Sequence, residues 1–191
     1  MRKLNRIIIT SGAFAALACT GFFALPASAS EITLGSSLGY GCFEKVKFGY
    51  TDMEALQLCN RALSENIMSR KDTAATYVNR GIIRAARGDL DGAIHDYDAA
   101  LKMKPDLGEA LANKGAAYLR ANNFKEAVSQ LNMALDYTLE KPSHVYYNRA
   151  IAYESLGENE LAYKDFQQAA KLEPEWSWPQ RELQRYEVIS H

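Results

Sequence analysis

The sequence predicts an all-helical solenoid. Three observations carry this: a residue pattern that recurs along the chain, small residues set against bulky ones at fixed places in each repeat, and Gly, Asn and Pro at the turns and ends. Residues 77–105, 111–139 and 146–174 align so that Gly81, Gly115 and Ala150 correspond, as do Ala93, Ala127 and Ala162. Tyr97, Leu131 and Phe166 then coincide, followed by Ala100, Ala134 and Ala169. The offsets are 34 and then 35 residues. A fixed period in this range marks stacked supersecondary units, none of which buries its apolar face alone.

Each unit reads as two helices. Gly88, Asn122 and Gly157 stand at the turn between them, where a left-handed backbone suits Gly or Asn. Small residues such as Gly81 and Ala93 let the two helices approach, and Tyr97 fills the space beside them. Pro105 and Pro174 close the second helices of the outer units, since Pro cannot continue the hydrogen-bond ladder. The middle unit has Leu139 where Pro is expected and one extra residue before Ser143, which predicts irregular stacking there. The pattern over residues 74–174 resembles the tetratricopeptide repeat, a helical hairpin of about 34 residues. That resemblance implies a right-handed superhelical solenoid of about three such units. They fall at 74–107, 108–142 and 143–176, between a degenerate N-terminal hairpin and a C-terminal capping helix.

The flanks are read in chain order. Residues 1–29 open with Arg2, Lys3 and Arg6, run apolar from Ile7 to Leu25, and close on Pro26, Ala27, Ser28 and Ala29. A basic start, an apolar middle and a small-x-small end describe a secretory signal peptide cleaved after Ala29. The alternative is an uncleaved membrane anchor, because the apolar run nears the ~20 residues that span a bilayer. Cys19 lies near a lipoprotein signal that lacks its Leu. Residues 30–41 are Gly- and Ser-rich and read as a flexible leader. Residues 42–73 read as a shortened first hairpin in which Ala55, Cys59 and Ala62 take the places of Ala93, Tyr97 and Ala100. Residues 177–191 read as the capping helix, with Leu183 and Tyr186 on its inner face and with Trp176 and Trp178 covering the end of the solenoid.

Signal removal takes three of the 22 basic residues and none of the 23 acidic ones, leaving a mildly acidic chain. It has no basic patch for nucleic acid, no polybasic stretch for anionic lipid, and no membrane insertion is expected after cleavage. Cys42 and Cys59 are then the remaining cysteines. On facing helices of an exported protein they read as a structural disulfide, with two free thiols or a redox pair as the alternatives. No zinc site is expected, since one wants about four ligands. No cofactor motif, phosphate loop, nucleophile elbow or metalloprotease helix is present, so the chain is not read as an enzyme and no catalytic residue is assigned.

The resemblance places function on the concave groove lined by first helices. The family's groove positions fall on Asn79 and Ile82, on Asn113 and Ala116, and on Asn148 and Ile151, beside Val78, Ala112 and Tyr147, with Leu119, Arg120, His144, Glu154 and Glu109 at the margins. Asn recurs in all three units. An amide offers a donor and an acceptor together, so three in register would read the backbone of a bound chain; the plainer alternative is an amide bonded between neighbouring helices. At the places of the clamp that grips the tails of cytosolic heat-shock chaperones, Val78 and Ile82 bring neither a basic nor an amide group and Asn148 brings no cation, so that clamp is incomplete. Arg80, Lys114 and Arg149 form a stripe expected to pair with Asp96, Gln130 and Asp165. The expected function is a periplasmic adaptor binding another protein or a peptide segment. The alternative is a structural or self-associating envelope component, a possible homo-oligomer acting through its convex face or caps.

Overall fold

The computed structural model describes residues 5–9, 37–65 and 67–190. The elements in order are β1 (Asn5–Ile9), α1 (Ser37–Lys47), α2 (Met53–Glu65), α3 (Arg70–Ala86), α4 (Leu90–Met103), α5 (Gly108–Arg120), α6 (Phe124–Leu135), α7 (Pro142–Ser155), α8 (Asn159–Leu172), α9 (Ser177–Leu183) and β2 (Tyr186–Ser190). The helices pair as hairpins α1/α2, α3/α4, α5/α6 and α7/α8, and the second helix of each hairpin packs on the first helix that follows. This is the expected all-α solenoid. The predicted cleavage site after Ala29 and Cys19 lie outside the described residues.

Local sequence sets the helix ends. Ser69 caps α3 by accepting from the Asp72 amide while its hydroxyl donates to the Asp72 carboxylate, a reciprocal cap that satisfies an otherwise orphaned donor. Asp89 caps α4 through the Gly92 amide at 2.9 Å. Pro142 opens α7, where its missing N–H is not needed. All four hairpins turn through a left-handed residue: Gly49, Gly88, Asn122 and Gly157, with φ of 78°, 89°, 58° and 78°. The middle unit has a shorter second helix, with α6 of 12 residues against 14 in α4 and α8.

The core is a column of alanines against one bulky residue per hairpin. Ala93, Ala100, Ala127, Ala134, Ala162 and Ala169 are fully buried, as are Leu131 and Phe166, with Tyr97 nearly so. A Cβ placed on Gly81 would lie 2.5 Å from Tyr97 Cε1, and one on Gly115 would lie 2.6 Å from Leu131 Cγ. The small residue is therefore dictated by the bulky one opposite. In the first hairpin the same facing positions hold Cys42 and Cys59, joined as a disulfide with Cα atoms 4.9 Å apart. Cys42 thus occupies the small position itself.

Both flanks differ from expectation. The first helix starts at Ser37 instead of Cys42. Gly39 and Gly41 lower helix propensity and suggest a leader, yet Gly41 is a packing choice, because a Cβ there would meet Leu58 Cδ2 at 2.9 Å. The capping helix stops at Leu183, not at the chain end, and β2 pairs antiparallel with β1 in the register Asn5 to Ser190 through Ile9 to Tyr186. The partner strand lies nearly the whole chain away and falls inside the expected signal peptide, so no local pattern announces it.

Candidate functional site

Helices α3, α5 and α7 run side by side along one face, α3 against α5 and α5 against α7. They carry the three asparagines at the same level. Asn79, Asn113 and Asn148 retain only 1 to 3% of their surface, so the ladder is enclosed, where the sequence reading has it open. Among the described residues no donor reaches Asn79 Oδ1 or Asn148 Oδ1, and both oxygens are buried. A buried carbonyl without a hydrogen bond carries its full desolvation penalty, ~1–3 kcal/mol.

The apolar residues assigned to the groove are largely committed elsewhere. Val78 and Ile82 belong to the core of the first two hairpins. Leu119 is fully buried against Ala127 and Ala152, because its turn of α5 faces both its own second helix and the next hairpin. Tyr147 packs edge-on to Phe166, with ring centroids 5.5 Å apart, and beneath Trp176 at 4.9 Å. Trp176 takes the place of a following repeat, which removes Tyr147 from the open surface. Of the asparagines and of Val78, Ile82, Leu119, Tyr147 and Ile151, Ile151 alone keeps intermediate exposure.

One cluster escapes sequence reasoning. Glu154 on α7 accepts from Arg185 and, at 3.0 Å, from the Tyr186 hydroxyl. Arg185 also pairs with Glu182, whose carboxylate receives the Tyr147 hydroxyl at 3.5 Å. Burial first, and the neighbouring carboxylates second, push both phenols above their ordinary range. The cluster fastens the C-terminal segment across the last hairpin. Only the Glu182 and Arg185 spacing hints at it from sequence, since Glu154 is 31 residues away.

The basic stripe is absorbed internally. Arg149 binds Asp165 through Nε at 2.6 Å and Nη2 at 2.8 Å, and its Nη1 donates to Asn132 on the preceding hairpin at 2.6 Å. Arg80 makes the same set with Asp96 and Asn60. Lys114 departs from expectation and pairs with Asp98 of the preceding hairpin at 2.7 Å, because a neutral Gln130 offers no charge. With Asp96 fully buried and Asp165 nearly so, the two arginine pairs are interior. Among the described residues no three His, Cys, Asp or Glu gather as a metal site, and no helix is long and apolar enough to cross a membrane.

Comparison with known proteins agrees with this architecture. Models of the tetratricopeptide repeat match residues 72–140 and 144–175, together more than half of the chain. Protein unc-45 homolog B of Danio rerio is 35% identical over 92 residues, 46% of this chain and 10% of that protein. The chain thus spans about a tenth of the length of the curated relatives it matches. Among solved structures, MamA 41-end from Desulfovibrio magneticus RS-1 shares the fold at a TM-score of 0.63 and 22% identity, over 78% of this chain and 82% of that one. The first TPR of Spaghetti (RPAP3) bound to the HSP90 peptide SRMEEVD aligns at a TM-score of 0.57 and 26% identity, over 60% of this chain and 90% of that one. The chain belongs to the tetratricopeptide-repeat family.

Proposed function

We propose that this protein is an exported adaptor that captures an extended segment of another protein along α3, α5 and α7. The observation that carries this reading is the pair of buried, donor-less oxygens on Asn79 and Asn148, at equivalent places in the first and third repeats. Each would suit a backbone N–H of a chain whose binding parts the side chains that now enclose it, which would repay the desolvation that the empty acceptor bears. The peptide held by the RPAP3 relative supports the same mode. Its acidic tail is a poor guide to the ligand here, because Val78, Ile82 and Asn148 supply no cations. The partner is therefore a largely neutral segment, bound with modest affinity and little dependence on salt.

Export is part of the proposal and rests on the basic, apolar and small-x-small organisation of residues 1–29. Cleavage after Ala29 also removes β1 and leaves β2 without its ladder. Sequencing the N-terminus of the protein recovered from the periplasmic fraction tests this, with Ser30 the expected first residue and an intact Met1 in a membrane pellet the opposing result.

The binding test is capture from envelope extract on the wild-type chain beside a chain carrying Asn79→Ala, Asn113→Ala and Asn148→Ala, with equal helix content shown first. Retention by the first and loss by the second is expected. Equal recovery on both would sink the asparagine mechanism.

A further inference from the structure

The C-terminal strand carries a bound strand that export would take away. Among the described residues β2 has one ladder partner, β1, paired antiparallel from Asn5 with Ser190 to Ile9 with Tyr186. β1 also packs against α8, so it fills a slot that β2 and α8 border together. Residues 5–9 lie within the segment that cleavage after Ala29 removes. The β2 edge then keeps a row of unpaired N–H and C=O groups, a template on which another extended chain adds a strand.

The base of β2 is held without help from β1. Tyr186 is 9% exposed, and its hydroxyl donates to Glu154 at 3.0 Å. Its ring lies 5.6 Å from that of Tyr163 and 6.1 Å from that of Phe166, centroid to centroid. Arg185 beside it binds Glu154 of α7 and Glu182 of α9. All of these partners belong to the last hairpin or to α9, so loss of residues 1–29 leaves them in place. A strand anchored in this way gives up less freedom on pairing than a loose tail does. Its sequence suits a ladder as well, since Val188 and Ile189 are β-branched and residues 186–190 contain neither Gly nor Pro.

We infer that the cleaved protein uses β2 to take up an extended, apolar and β-branched segment of another protein, as an antiparallel strand in the slot that β1 fills. The strand seated there sets this chemistry: Asn5–Ile9 reads Asn-Arg-Ile-Ile-Ile, three consecutive β-branched residues with neither Gly nor Pro. Main-chain pairing along the five residues supplies the attachment, and side chains of this type fit a pleated surface. The precursor holds the same site filled by its own N-terminal segment, so uptake begins only after cleavage. The inference rests on the export reading for its setting and makes no use of Asn79, Asn113 or Asn148.

The probe is a fluorescently labelled synthetic peptide of residues 3–10, titrated by anisotropy against three proteins. They are the intact full chain, the chain recovered with Ser30 as its first residue, and the full chain carrying Ile7→Pro with Ile8→Pro. Two adjacent prolines remove an N–H from β1 on whichever edge faces β2, which empties the slot whether or not export occurs. The second and third proteins are expected to bind roughly tenfold or more tightly than the first, with deuterium exchange at the amides of residues 187–190 slowed by the peptide. Val188→Pro with Ile189→Pro in the emptied chain, at equal helix content, should abolish binding. A peptide carrying Ile7→Gly, Ile8→Gly and Ile9→Gly should bind roughly tenfold or more weakly. No binding to the emptied chains, or equal binding to all three proteins, would overturn the inference. Amides of residues 187–190 protected without peptide in a protein of twice the chain mass would overturn it too, because β2 would then pair with a second copy. An intact Met1 in cells, with the proline variant still taking the peptide, would support the strand site and remove the export reading instead.

Discussion

Asp165 receives Arg149 through both of its carboxylate oxygens, with Nε to Oδ2 at 2.6 Å and Nη2 to Oδ1 at 2.8 Å. Arg149 is the one cation among the described residues recorded against that carboxylate. Asp96, its counterpart two hairpins earlier, has two, because Arg84 Nη1 lies 3.1 Å from Oδ2 in addition to Arg80. Removing one member of a buried pair strands the other, at ~3–5 kcal/mol. Arg149→Ala should therefore lose about that much in urea unfolding, and Arg80→Ala clearly less. Equal losses would show that Arg84 does not substitute for Arg80.

The facing Gly and Tyr of the second hairpin give a steric prediction. Gly81→Ala drives a methyl to 2.5 Å from Tyr97 Cε1, and overpacking of this kind costs ~1–3 kcal/mol. The thermal midpoint should fall for Gly81→Ala, whereas Ala150→Gly, facing Phe166, should lose only the modest helix propensity of alanine and its one buried methyl. A Gly81→Ala chain as stable as wild type would mean that the ring moves aside without strain.

Reducing the Cys42 and Cys59 bridge releases a loop whose ends are 17 residues apart. The chain-entropy account assigns such a loop ~3 kcal/mol. Hydrogen exchange should localise the loss to α1 and α2 and leave α5 to α8 protected, since a solenoid is stabilised by neighbour contacts. Uniform loss of protection on reduction would contradict that picture.

Acid should weaken the last hairpin through His144. Burial foremost holds its pKa below the ordinary 6.5, with Lys141 acting in the same direction and the Glu173 carboxylate opposing. The unfolded chain then binds the proton more readily than the folded one, so this contribution is complete above about pH 6.5 and is lost as pH falls through that value toward the folded-state pKa. Acidic side chains titrate lower, mostly near pH 4. Urea midpoints measured between pH 7 and pH 5 should decline for wild type and flatten for His144→Phe. An identical slope in both proteins would remove His144 as the cause.

The parts legible in the sequence are those set by contacts within one hairpin. The left-handed turns at Gly88, Asn122 and Gly157 and the small-to-bulky facing of Gly81 and Tyr97 or Gly115 and Leu131 all arise over fewer than 20 residues. They recur with the period. What stayed hidden depends on contacts between hairpins or between chain ends. Lys114 turns to Asp98 on its neighbour, Leu119 is buried by the hairpin that follows, and Tyr147 is roofed by Trp176. Residues 186–190 form a strand because a partner lies at the other end of the chain. The groove assignment set the three asparagines on neighbouring first helices; it could not show how deeply the surrounding packing encloses them.

The three ties that Arg80, Lys114 and Arg149 make to the preceding hairpins are not chemically alike. Asn60 to Arg80 and Asn132 to Arg149 are each an amide oxygen accepting from a guanidinium that its own carboxylate already anchors. Asp98 to Lys114 is a bare ion pair whose aspartate is 45% exposed, the kind of contact that dissolved salt screens. Two of these ties thus hold over a wide range of ionic strength and the one between them weakens, so at high salt the joint between the hairpins of Asn79 and Asn113 rests on packing and on the Arg120 bond to the Ala85 carbonyl.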